Sequence, residues 1–190
     1  MFRPLILIAC LIALSACSSN QPWAEAEKVA AATYKHPGAK TVSLVTIVGT
    51  SGAKMGHTAL LINGSERVLY DPAGTWYSPL APERADLHYG ITDAVLQNYI
   101  SYHAREGFEV LKATKVVSPA VADRMIANAI AVGGAAGGLC SANAAQIISM
   151  TPGFEGFPVS IWPTKTIEAF LAIPGLAVET YAEDDEGKNL

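Results

Sequence analysis

The chain has 190 residues, 51% of them hydrophobic and 16% charged, a balance that suits one folded domain and excludes an extended disordered chain. The formal net charge is −4 and the pI about 5.5. With no long Lys/Arg cluster, these values exclude a phosphate-backbone binder, so no nucleic-acid partner is expected. Part of the acidic excess lies in the tail at 182–190, with "EDDEGKN", expected to be a solvated terminus.

The N-terminus reads as an address rather than as part of the fold. Arg3 precedes an apolar run from Pro4 to Ala13, too short to span a bilayer comfortably, and small residues then lead to Cys17. Leu14-Ser15-Ala16-Cys17 resembles a bacterial lipobox. That resemblance implies a lipoprotein signal peptide at 1–16 and cleavage before Cys17. The Cys17 sulfur would then carry diacylglycerol, and its new amino group an acyl chain such as palmitate. Several acyl chains anchor a protein stably where one does not. Ser18 after the lipidated cysteine, in place of aspartate, resembles lipoproteins sorted to the outer membrane. The implied location is the cell envelope, on the outer membrane facing the periplasm. An ordinary signal peptide cleaved nearby is the alternative. On the lipoprotein reading Cys10 leaves with the leader and Cys17 carries lipid. Cys140 is then the one free thiol, in a compartment that oxidises thiols.

Residues 17–41 are expected to be a lipidated tether carrying a short helix, roughly Ala24 to Tyr34, stopped by "PGA". "KTVSLVTIVGT" predicts a strand. "HTALLIN" and "ERVLYDP", split by "GS", predict a hairpin with His57 at its entry and Asp71 near its exit. "AGTWYSPLAPERADLHYG" has no clear period and predicts a long loop over a site or core. A helix follows in "TDAVLQNYISYHARE", capped by Thr92, with apolar Val95, Leu96, Tyr99, Ile100 and Tyr102. His103, near its end, is expected to be solvated. "FEVLKATKVV" predicts a strand, and "SPAVADRMIANAIAVGG" a helix with Ser118 as cap and Pro119 at its first position. "CSANAAQIISM" and "PTKTIEAFLAI" predict two more helices, and "GLAVETY" a last strand. The expected class is α+β, a mainly antiparallel sheet flanked by helices.

Three residues can carry chemistry. Cys140 sits where "GGAAGG" gives way to a helix, and free N–H groups and the macrodipole at a helix start stabilise a thiolate. The Cys140 N–H can face a developing oxyanion. The alternative is a buried cysteine packing an alanine-rich helix, since free cysteine is among the most buried residue types. His57, after Gly56 at the head of an apolar strand, can act as the base that takes a thiol proton and returns it to a leaving group. It can also be a histidine simply satisfied at a strand end. Asp71 lies near His57 across the hairpin and can fix its tautomer. Asp before Pro is equally a common turn initiator.

A histidine opening a strand after glycine ("GHTALLI"), a polar residue closing the next ("RVLYDP"), and a later cysteine opening a helix ("GLCSANAAQII") form a familiar order. It resembles the circularly permuted papain-like hydrolases, the permuted branch of the NlpC-type cell-wall peptidases, related to lecithin:retinol acyltransferase. The resemblance covers roughly 42–172. It implies a permuted papain-like domain at 42–181, with Cys140 as nucleophile, His57 as base and Asp71 as the third polar residue. Two features depart from the pattern. The third residue is often histidine or another polar type in this group, and the insert from Ala73 to Ile91 is longer than its minimal connection.

The implied function is a thiol hydrolase cleaving an amide bond, with a cell-wall stem peptide as the natural substrate. An acyl hydrolase or acyltransferase remains open within the same chemistry. A second class is a non-catalytic envelope lipoprotein that binds cell wall or a protein partner. Its contacts would come from the loop at Trp76 and Tyr77 and from "GFPVSIWP", although Trp162 is read as core. No two histidines or cysteines stand at ligand spacing, and no phosphate-binding or dinucleotide fingerprint is present. Neither metal nor cofactor is expected.

Overall fold

A computed structural model describes residues 22–50 and 56–183. The leader, Cys17 and residues 184–190 of the acidic tail lie outside the described residues. The strands are β1 Thr41–Gly49, β2 His57–Asn63, β3 Arg67–Tyr70, β4 Glu83–Arg84, β5 Leu87–His88, β6 Phe108–Val116 and β7 Leu176–Ala182. The helices are α1 Ala26–Ala32, α2 Asp93–His103, α3 Pro119–Val132, α4 Cys140–Ser149 and α5 Pro163–Leu171. The strands form one sheet in the order β4-β5-β3-β2-β1-β6-β7. Every neighbouring pair is antiparallel. The chain is therefore α+β, as the pattern of apolar runs implies.

Alternation along the central strands explains why both faces of the sheet are covered. Val42 and Leu44 of β1, Leu60 and Ile62 of β2, and Val68 and Tyr70 of β3 pack on one face. That face receives Met125 and Ile126 of α3, Ile147 and Ile148 of α4, and Phe170 of α5. Val45, Ile47, Ala59, Leu61 and Leu69 point the other way, against Leu96, Tyr99 and Ile100 of α2 and the indole of Trp76. Residues of odd number on β2 and just beyond β3, His57 and Asp71 among them, thus belong to the α2 side. The helix that begins with Cys140 lies on the opposite side.

The capping residues do what their chemistry suggests. Thr92 Oγ1 accepts from the Val95 N–H at 3.2 Å and Ser118 Oγ from the Val121 N–H at 3.4 Å. Helix α3 ends at Gly133, whose φ of 71° a Cβ would oppose. The β2–β3 connection has three residues, Gly64 to Glu66, one more than the "GS" pair suggests.

Residues 73–91, expected as a single long loop, contain a small hairpin. β4 and β5 meet at Ala85 and Asp86, both with positive φ (47° and 66°). Such a two-residue turn usually recruits Asn-Gly or Asp-Gly, so "ERADLH" gave no turn signal. Residues 23 and 24, within the expected tether, meet the edge strand β4. Trp23 bridges to Arg84, and the Arg84 guanidinium donates to the Ala24 carbonyl at 2.6 Å.

Tyr70 joins the sheet to the loop that precedes Cys140. It is fully buried, donates to the Gly133 carbonyl at 2.7 Å, and accepts from Asn143 Nδ2 of α4 at 3.3 Å. Tyr70→Phe keeps the ring but strands both partners. It is expected to lower unfolding free energy by about 1–3 kcal/mol, read as a lower urea midpoint at unchanged m-value.

Candidate active site

β2 begins at His57 because Gly56 before it must pass close to β1. A Cβ on Gly56 would collide with the Ile47 carbonyl and touch the Pro163 ring of α5. β3 ends at Tyr70, and Asp71 then opens a turn through Pro72 and Ala73, closed by the Gly74 N–H on the Asp71 carbonyl at 3.0 Å. Ala73 has a φ of 54°, which the third position of a type II turn requires. The Asp71 backbone initiates the turn, and its carboxylate is free for another task.

That task is His57. Asp71 Oδ1 lies 2.6 Å from His57 Nε2 and also accepts from the Tyr99 hydroxyl at 2.8 Å. The Asp71 side chain has no exposure, whereas the imidazole keeps 18%. A side chain on Gly74 would run into Asp71 Oδ2, so this position has to be glycine. Burial alone would raise the Asp71 pKa, but the His57 bond and the imidazoles of His57, His103 and His88 hold it below the usual carboxylate value.

Cys140 is the first residue of α4 and is half-buried. As first residue its N–H has no acceptor within the helix. Burial opposes ionisation of the thiol. The His57 ring, and the N–H groups of Thr58 and Ser141, outweigh it and bring the pKa below the ordinary thiol value. For His57, burial lowers the pKa, but Asp71 and then Cys140 overcome it and raise the value to about 10. Thiol and imidazole each stabilise the other's charged form. With Nε2 held by Asp71, Nδ1 is the ring nitrogen left for the thiol.

The sheet brings the three expected residues, Cys140, His57 and Asp71, to one end of β2, although they arrive from different layers. The start of α5 stands beside them, since Ser141 Oγ meets Thr166 Oγ1 at 2.6 Å and Pro163 neighbours Gly56. A cleft of about 260 Å³ borders His57, walled by Ala73, Thr75, Tyr102, His103 and Arg105.

Several residues here differ from the expectations set by sequence. His103 is buried rather than solvated, and its ring stacks on His57 at 5.8 Å between centroids with 10° between planes. Its Nδ1–H donates to the Tyr99 carbonyl at 2.9 Å. Burial first, with the charges of His57 and Arg105, lowers its pKa against the pull of Asp71. Tyr99 was expected only as a core aromatic, yet its hydroxyl holds the carboxylate. Trp76, offered as a contact residue, is 3% exposed, with its indole N–H on Asn98 Oδ1 at 3.0 Å. Trp162, read as core, is 59% exposed. The signal for His103 was present: it stands three residues after Ile100 and four after Tyr99, on the buried stripe of α2.

Asp86 is the other residue that sequence did not reveal. Its Oδ2 accepts from the Ala73 N–H and the Ala135 N–H, each at 2.8 Å. One buried carboxylate thus ties the turn after Asp71 to the loop before Cys140. Two charge-assisted bonds offset the left-handed backbone that Asp86 adopts, a conformation Asp tolerates better than most residues. Asp86→Ala leaves both N–H groups unmade and is expected to lower stability by on the order of 3 kcal/mol. Ordinary thiol reactivity of Cys140 in this variant, measured by alkylation rate, would show that both loops had shifted.

Among the described residues no group of three or more His, Cys, Asp or Glu side chains is placed to hold a metal ion. Comparison with protein-family models, with curated proteins and with solved structures finds no match.

Proposed function

We propose that this chain is a lipid-anchored cysteine hydrolase of the cell envelope, with a permuted papain-like domain that cleaves an amide bond through a thioester. One observation carries the reading: a half-buried thiol begins a helix beside an imidazole whose Nε2 lies 2.6 Å from a fully buried carboxylate. The Cys140 thiolate attacks the carbonyl carbon, forming an S–C bond and an oxyanion that faces the Cys140 N–H. The C–N bond then breaks as His57 gives its proton to the leaving amine. Water attacks the thioester with His57 taking its proton, a C–O bond forms, the S–C bond breaks and the thiolate returns. Asp71 keeps the ring in place and stabilises the imidazolium throughout. Cell-wall stem peptides suit the envelope location that the lipobox implies.

Placement at a membrane surface gains support from the described surface itself. Trp23, Tyr77 and Leu80 are 68%, 75% and 70% exposed. Trp23 and Tyr77 border one groove a few residues after the point where a lipid on Cys17 would join the chain. Aromatic side chains with a polar edge favour the membrane–water boundary. No helix among the described residues is long and apolar enough to cross a membrane.

A second reading, transfer or hydrolysis of a fatty acyl group, draws on the apolar rim of the site. Leu139 precedes Cys140, and Ile161 and Trp162 precede α5; all three are exposed. Incubation of the full chain with muropeptides, and separately with acyl esters and phospholipids, separates the readings by mass spectrometry of the Cys140 peptide. A hydroxylamine-sensitive acyl adduct derived from a peptide supports the amidase, and one derived from a fatty acid supports acyl transfer. Cleavage that persists in Cys140→Ala would sink both.

A further inference from the structure

The cleft beside His57 contains a cation that no ion pair among the described residues engages. Arg105 lies in the short link between α2 and β6, half-buried, with its guanidinium carbon 5.8 Å from the Tyr102 ring centroid and 5.4 Å from that of Phe108. None of the ion pairs among the described residues includes it. Its link is short and fixed, because the Phe108 N–H returns to the Arg105 carbonyl at 2.8 Å and Gly107 takes a φ of 82°. Two aromatic faces therefore hold a planar, five-donor group beside a cavity without giving it a carboxylate. Arg stacked in this way is pre-oriented for bidentate binding of a planar anion.

The rest of the cleft agrees. Thr75 Oγ1 and the Tyr102 hydroxyl, 3.1 Å apart, add polar groups to its wall. The carboxylate of the site, Asp71, has no side-chain exposure and is occupied by His57 and Tyr99. Burial lowers the pKa of His103. In a chain of net charge −4, the described lining of this cleft carries Arg105 and no carboxylate.

Which half of the substrate enters it follows from the proton. The leaving amine must receive a proton from His57, so it departs on the side of the imidazole, where this cleft opens. We propose that the cleft binds the amine half of the substrate and that Arg105 grips a carboxylate on that half. The scissile amide would then join an acyl group to an amino acid or another carboxylate-bearing amine. This rests on the hydrolase reading above and adds the substrate class. Thiolate attack and proton return follow the same steps, and the released product is the free amino-carboxylate.

The test needs no knowledge of the natural substrate. Cys140 of the full chain is alkylated with iodoacetate and with iodoacetamide, which differ by one negative charge, and the ratio of rates is compared between wild type, Arg105→Gln and Arg105→Lys. Loss of a charge-assisted contact is expected to lower the iodoacetate-to-iodoacetamide ratio about tenfold or more in Arg105→Gln. Arg105→Lys should keep part of the preference, since charge survives and the planar fork does not. A second arm compares hydrolysis of N-acyl dipeptides with their C-terminal carboxamides, where wild type is expected to favour the free carboxylate and Arg105→Gln to lose that preference. Equal ratios in wild type and Arg105→Gln, with iodoacetamide reacting normally in wild type, would overturn the anion site alone. Failure of wild-type Cys140 to react with iodoacetamide near neutral pH would overturn the hydrolase reading beneath it.

Discussion

Asp71→Asn is expected to reduce kcat/KM by on the order of 10³- to 10⁴-fold while leaving the fold in place, the size of loss seen when a buried carboxylate orienting a catalytic imidazole becomes an amide. The amide oxygen can still accept from Tyr99 or from the His57 ring, so packing changes little. What disappears is the negative charge that helps raise the His57 pKa to about 10 and, through His57, depresses that of Cys140. The pH profile should show this more specifically than the rate. In wild type, activity needs thiolate and imidazolium together. It rises as Cys140 ionises, with a midpoint below the ordinary thiol value of 9.0, and falls as His57 loses its proton near 10. Without Asp71 the first limb moves up toward 9.0 and the second moves down toward 6.5, the ordinary values of the two groups. The active window narrows from both sides. A uniform loss of rate with an unshifted profile would mean that Asp71 serves the turn and not the ring.

Cys140→Ser is the larger effect. A hydroxyl in place of the thiol is nearly isosteric, and the half-buried position at the start of α4 accepts it, so folding should be unaffected. Turnover should fall on the order of 10⁵-fold or more, the scale found when a nucleophile acting as one unit with its base is removed. The reason lies in the pKa of the attacking group. Local fields that lower a thiol pKa leave an aliphatic hydroxyl protonated. His57→Ala should cost about as much, and combining the two substitutions should add little, because neither group works without the other. A double variant whose losses multiplied would contradict the pair.

Local signals made most of the fold legible. Caps at Thr92 and Ser118, Pro119 at a helix start, glycines after α3 and alternating apolar residues in β1 and β2 each have a cause within a few residues of chain. The order of His57, Asp71 and Cys140 was also readable, because hairpin geometry brings Asp71 near His57 and a glycine run before an apolar helix predicts where Cys140 stands. What stayed hidden depends on contacts between distant segments. The Tyr99 hydroxyl on Asp71 joins residues 28 apart in sequence, and periodicity counts Tyr99 only as apolar. Asp86 adopts an unusual hairpin turn whose strain is offset by N–H groups at positions 73 and 135. Trp162 reads as core by composition, yet it stands at the N-terminus of α5 facing solvent. The charged residues of the site were more legible than the aromatic ones that hold them, because an aromatic ring serves a core and a cleft equally well.

The central claim is that Cys140 and His57 exist as a thiolate–imidazolium pair near neutral pH. The most direct measurement is the rate of Cys140 alkylation by iodoacetamide from pH 4 to 10, read on the Cys140 peptide of the full chain, in wild type and in His57→Ala. The wild-type midpoint is expected below 9.0, the ordinary thiol value, and is expected to return toward it once His57 is gone. A wild-type midpoint at or above that value, unchanged by His57→Ala, would contradict it.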